Sequence, residues 1–196
     1  AIMKTWWVFI LMLVSVQFLF ILSADNEKAY QGTFLHQNND PEKIKVSPQF
    51  ELKNGQANVA FKLSTTIDNS WMEVQADLVN DLTGDTHEFE QGAEWYYGRD
   101  YDGPWSEGSQ ESKKIISSIP DGFYHLNLEA SGPAPINGVN FQMTVVRDVV
   151  TWSNFFWALA LVSLFPVFAW WRYQSFEQAR WSTSDFSPYG GSDEDD

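Results

Sequence analysis

The 196-residue sequence has no cysteine. That absence excludes a thiol nucleophile, a disulfide framework and any zinc site built on cysteine. Histidine is scarce: His36, His87 and His125 lie far apart without paired H-x-x-x-H spacing, and an isolated strand histidine is more often structural than a ligand. No G-x-S-x-G, phosphate-binding loop or dinucleotide fingerprint occurs, and no pair of the many carboxylates stands out. The sequence therefore reads as non-enzymatic, with a hydrolase as the residual alternative. Basic residues are also few, 12 against 26 acidic, for a net charge of -14. Such a surface repels nucleic acid and anionic lipid and attracts cations or a basic partner, although solubility alone would also account for it.

Two long apolar runs are present. "WWVFILMLVSVQFLFIL" at residues 6–22 carries no charge, and residues 152–171 are nearly as apolar. At about 1.5 Å per residue the first covers most of a ~30 Å hydrocarbon core, and the second spans it with Pro166 tolerated inside. Trp6-Trp7 and Trp170-Trp171 flank these runs, where tryptophan marks a membrane interface. Lys4, Arg172 and Arg180 beside the pairs, against Lys28 and Arg147 at the other ends, favour both termini in the cytoplasm and the middle outside. A cleaved signal peptide is the alternative for the first run, but "LSA" at residues 22–24 is a poor cleavage site. The expected organisation is a cytoplasmic N-terminus at 1–5, transmembrane helices at 6–22 and 151–171, a polar linker at 23–48 and an extracytoplasmic β domain at 49–150. A juxtamembrane helix at 172–182 and a disordered acidic tail at 183–196 follow. The chain starts at Ala1 rather than Met, as it would if a further domain preceded it.

Between the runs, Asp25 to Thr151 contain 20 acidic and 9 basic residues, a net charge of -11. Here the hydrophobic period is two. Ala57, Val59, Phe61 and Leu63 alternate with polar or small residues, and so do Met72, Val74, Ala76 and Leu78 with Glu73, Gln75 and Asp77. Tyr124, Leu126, Leu128 and Ala130 line one face of another strand, as do Val139, Phe141, Met143 and Val145. Turn signals at Asn54-Gly55, Thr83-Gly84, Asp102-Gly103, Asp121-Gly122 and Asn137-Gly138 separate the runs. The fold class expected is mainly β, an antiparallel, jelly-roll-like β-sandwich between two transmembrane α-helices. The short "RDVVT" connection would seat that domain on the membrane rather than on a stalk.

One segment concentrates aromatics: Trp95, Tyr96, Tyr97, Tyr101 and Trp105, punctuated by Gly98, Gly103 and Pro104. Read as a loop, it offers Trp95, Tyr97, Tyr101 and Trp105 as a binding surface, because aromatics bury much area at low entropic cost. A core strand is the equal alternative, with Tyr96 inward and Trp95 and Tyr97 outward, or the reverse. Trp105 is the expected exposed anchor, and Trp71, at a strand start, its buried counterpart. Within "DYDGPWSEG", Asp100, Asp102 and Glu107 have the oxygen-rich character that calcium prefers, although aspartate before glycine is also what an ordinary turn uses. No other cofactor is implied.

"YYGRDYDGPWSEGSQESKKIISSIPDGFYHLNLEA" and the ending "FEQARWSTSDFSPYG" resemble an uncharacterised family of bacterial membrane proteins whose members can carry a further domain ahead of this part. The resemblance implies a bacterial inner-membrane setting with the β domain periplasmic, and no known activity. The function expected is a membrane-anchored binding or assembly subunit. Its partners are the lipid bilayer and another membrane or extracytoplasmic protein, and not nucleic acid. The alternative is a sensor of a ligand or calcium that signals through the second helix.

Overall fold

A computed structural model describes residues 2–181. The chain divides into two compact units, one over Ala24–Val150 and one formed by its two ends. The first is built of ten strands: β1 (Glu27–His36), β2 (Ile44–Val46), β3 (Phe50–Leu52), β4 (Ala57–Thr65), β5 (Ser70–Asn80), β6 (Thr86–Asp100), β7 (Gly103–Ser109), β8 (Glu111–Ile119), β9 (Gly122–Ser131) and β10 (Val139–Arg147). They form two antiparallel sheets, β1-β10-β4-β8 and β2-β9-β5-β6-β7, with β3 following β2 along the same edge of β9. Ser47 bridges β2 and β3: its backbone N–H donates to the Leu126 carbonyl at 2.8 Å, and its hydroxyl accepts from the Leu126 N–H at 2.9 Å. The next residue, Pro48, cannot donate, which ends β2 on this outer edge.

Alternation builds the core as the sequence suggests. Val59, Phe61 and Leu63 of β4 and Phe141, Met143 and Val145 of β10 meet Met72, Val74, Ala76 and Leu78 of β5 and Tyr124, Leu126 and Leu128 of β9, all buried in one cluster. Phe61 contacts Phe89 of β6 across the sheets, with ring centroids 4.3 Å apart. Gln91, also buried, donates its amide to the Phe61 carbonyl at 3.1 Å and so ties β6 to β4. Ala60, expected on the solvent side of β4, is buried as well, under Val146, Val149 and Ile115.

The segment 23–48, expected to be a linker, instead carries β1 and β2. The strand pattern in β1 is obscured by a bulge between Lys28 and Tyr30 and by Gly32, which contributes no side chain to the core face. Tyr30 fills that gap by lying over Gly32 and stacking on Phe50 at 5.1 Å. Phe34 stacks on Phe141 of β10 at 5.5 Å. Because β1 and β10 are antiparallel neighbours, Glu27 at the start of one pairs with Arg147 at the end of the other.

The second unit contains α1 (Ile2–Ser23) and α2 (Ser153–Trp181), both long and apolar enough to cross a membrane. In α1 the residues withdrawn from solvent are Trp6, Ile10, Leu13 and Gln17, the four-three spacing of a helix-packing seam. The Trp6 indole donates to the Ser163 hydroxyl of α2 at 3.3 Å. Pro166 lies inside α2 and is buried, yet the helix runs on unbroken, so the juxtamembrane helix expected at 172–182 is, as far as Trp181, a continuation of α2. There Glu177 accepts from Arg180 at 2.7 Å and from the Trp181 indole at 3.2 Å. The tail expected at 183–196 lies outside the described residues.

Candidate functional site

The aromatic segment is a hairpin rather than a loop. β6 is 15 residues long, but its pairing with β5 ends where Trp95 meets Ser70. From Tyr96 to Asp100 its ladder partner is β7, and the two strands form a two-stranded ribbon about 17 Å long. Tyr101 and Asp102 make the turn, Asp102 N–H donates to Asp100 Oδ1 at 3.0 Å, and Gly103 takes the positive φ of 126° that a side chain would resist. Aromatic residues suit a strand, and Asp-Gly is a hairpin signal, so the local chemistry agrees with this outcome.

The ladder splits the candidate anchors between faces. Trp95 continues the inward row of Phe89, Gln91 and Ala93 and packs against the core. Tyr97 shares its parity but lies beyond the core, exposed, with its N–H donated to Asn69 Oδ1 at 2.8 Å. The hydrogen bond of its phenol to Asp68, reinforced by the charge of that carboxylate, raises the tyrosine above its ordinary pKa. Tyr97 therefore pins the base of the ribbon to the β4–β5 connection. Trp105 lies opposite Gly98 on the other face, where its ring covers the glycine so closely that a Cβ there would sit 2.8 Å from the indole. It remains 44% exposed, and Tyr101 at the tip is fully exposed.

The three carboxylates offered for calcium are not brought together. Asp100 and Asp102 share the turn, but Glu107 pairs with Tyr96, four ladder positions and about 13 Å away. Among the described residues no group of three or more histidines and carboxylates is placed to hold a metal ion.

Trp71 departs from its expected burial. It shares the outward parity of Glu73, Gln75 and Asp77 and is 42% exposed. That outer face also carries Glu88, Glu90 and Glu94 from β6 and Glu129 from β9, while β5, β6, β7 and β9 contribute no lysine or arginine to it. A hydrogen bond between Glu73 and Glu90, and then their mutual repulsion, raises the Glu73 carboxyl above the usual range. At one end of the face Asp81 binds Gln49 and His125, and those contacts lower its pKa. The outward acidic parity was visible in the strand pattern. Which strands would stand side by side was not, so sequence reasoning missed both the crowded carboxylates and the Asp81–His125 pair. Neither a known protein family nor a curated protein matches this chain.

Proposed function

We propose that the chain is a membrane-anchored, non-enzymatic binding subunit that presents a β-sandwich of jelly-roll type on the outer side of a bacterial cytoplasmic membrane, with both termini inside. The observation that carries this reading is the β6–β7 ribbon, which extends past its own sheet with Tyr101 and Trp105 exposed. A core does not require such an extension, and rigid exposed aromatics are efficient anchors for a protein partner. The strand order supports the jelly roll: β1, β10, β4 and β8 form one sheet while β9, β5 and β6 are central to the other, and the chain crosses between sheets at β1–β2, β3–β4, β4–β5, β7–β8, β8–β9 and β9–β10. The length and apolar composition of α1 and α2, their flanking tryptophan pairs and the positions of Lys4 and Arg172 support two crossings.

A second reading, a sensor acting through α2, draws on one further observation. Val149 is held to Asn58 by two hydrogen bonds, of 3.3 and 3.4 Å, and Thr151 and Trp152 directly precede the helix at Ser153. Strain at the end of β10 would thus have little slack chain in which to dissipate.

The test replaces Gly98 to Trp105 by Asn-Gly, which closes the ribbon at the Tyr97–Ser106 pair. In native membranes the full-length variant should keep the melting temperature of the parent to within a few degrees, because no core residue is removed, and lose the partners that cross-link to the parent. Loss of fold, or unchanged cross-linking, would remove the ribbon from the reading. Independently, a reporter inserted at Asn39 should be external and one fused after Asp196 internal. An exported C-terminal reporter would overturn the topology.

A further inference from the structure

The outer face of the second sheet contains a trough of about 520 Å³, of a size typical of ligand sites, walled by Trp71 and Glu73 of β5 and by Glu94 of β6, with Glu111 at its rim. The register explains its shape. Trp71 lies directly opposite Glu94, and Glu73 lies opposite Gly92. The missing side chain at Gly92 therefore opens a gap between an indole and two carboxylates.

Nothing in the backbone demands glycine there. Gly92 is not one of the positive-φ positions, and a Cβ added to it would meet nothing closer than 3.9 Å. By contrast, Gly108 at the other side of the trough has φ +86° and a Cβ there would collide with the Glu94 carbonyl. The space at Gly92 is thus open by composition rather than by conformational need. Trp71 is the second feature, a large indole exposed directly beside Glu73 and Glu94, on a face whose other exposed apolar residues, Ile44, Val46 and Phe123, lie on β9 and the strand beyond it, β2. No lysine or arginine on these strands neutralises the carboxylates, and Glu73 turns to Glu90 instead.

We propose that this trough receives an arginine side chain from a basic peptide segment of a partner protein, with the guanidinium stacked on Trp71 and its N–H groups donated to Glu73 and Glu94. Arginine fits better than lysine because its planar group can stack on an aromatic face and still present a fork of donors to carboxylates. A protein occupant is favoured over nucleic acid or anionic lipid, since the net charge of -11 between Asp25 and Thr151 repels both. The site is separate from the ribbon tip and does not depend on the ribbon binding anything.

The experiment uses the full chain in detergent micelles at about 0.15 M ionic strength, where the screening length is near 8 Å. The probe is a fluorescein-labelled peptide of alternating arginine and glycine, read by anisotropy, with the lysine and aspartate versions as controls. The arginine peptide should bind, the lysine peptide more weakly, and the aspartate peptide not at all. Gly92→Val places a branched side chain in the gap between Trp71, Glu73 and Glu94 without changing any charge, suits a strand, and should abolish binding with the melting temperature retained. Trp71→Ala should weaken binding roughly fivefold, the loss expected for one partly exposed stacked cation. Trp105→Ala should leave binding unchanged, so that failure here is distinguishable from failure of the ribbon. If Gly92→Val binds like the parent, or if Glu88→Gln outside the trough weakens binding as much as Glu94→Gln, the attraction is diffuse charge and the site does not exist. No binding by the parent also overturns it.

Discussion

Glu73 and Glu90 sit diagonally on adjacent strands and share a hydrogen bond that requires a proton, which is why the Glu73 carboxyl is raised. The contribution of that shared proton to stability is fully present below the unfolded glutamate pKa, near 4.3, and is lost as pH rises through the elevated folded value. Above that value the shared proton is gone and the charge of Glu90 opposes that of Glu73. Glu73→Gln should therefore melt above the parent at pH 7, and the advantage should shrink or reverse by about pH 4; a pH-independent difference in melting temperature would mean that the two carboxylates do not interact. Both are solvated, so the effect should be modest and reduced by salt. The outward direction of Glu73 was legible from the period of two in β5. Its closeness to Glu90 was not, because a single strand pattern carries no information about its neighbour's register. The same limit explains Trp71, whose position at the start of a run suggested burial while its parity places it with the acids.

At the scale of elements, strands with an apolar face declared themselves: β4, β5, β9 and β10 have the inward residues that alternation assigns, except Ala57, which lies across the β4 irregularity and outside the core cluster. β1 did not, since its bulge shifts the period and its core face includes Gly32. A linker and an edge strand make different demands on Tyr30. As a linker residue it should tolerate alanine freely. As the ring that covers Gly32 and stacks on Phe50, its truncation should cost about 1–2 kcal/mol, a fraction of the value for a fully buried large side chain. Chemical denaturation of the full chain with Tyr30→Ala would separate the two, and an unchanged midpoint would return β1 to the status of a tether. The ribbon shows the converse ambiguity. Aspartate, glycine and proline in "DYDGPW" suggest a loop, yet two residues suffice for the turn and the rest pair. Pro104 and the positive-φ Gly108 lie on the outermost strand, where they discourage further strand addition.

Across the molecule, charge is divided between the two sheets. The outer face of the second is lined by glutamates and aspartate, whereas that of the first presents Lys28, Lys62 and Lys113, the last two directly opposite each other, together with Glu111. A net charge alone could not have revealed this separation, which gives the β unit an acidic side on which a basic partner would be oriented before contact. The pairing of Glu27 with Arg147 has a different kind of consequence. Since the β unit starts and finishes on neighbouring strands while α1 and α2 hold each other through contacts such as Trp6–Ser163, unfolding this unit alone leaves a closed loop of about 130 residues between Ser23 and Ser153. A loop tied at its base has fewer conformations than a free chain. By the chain-entropy relation used for cross-links, that restriction favours the folded state by on the order of 4–5 kcal/mol. Residues 24–150 produced without the helices should accordingly melt roughly ten degrees or more below the same residues in the full chain, and equal melting temperatures would show that the helices part when the strands do. In a sequence without cysteine, the helix pair takes the place that a disulfide between the two ends of the β unit would fill.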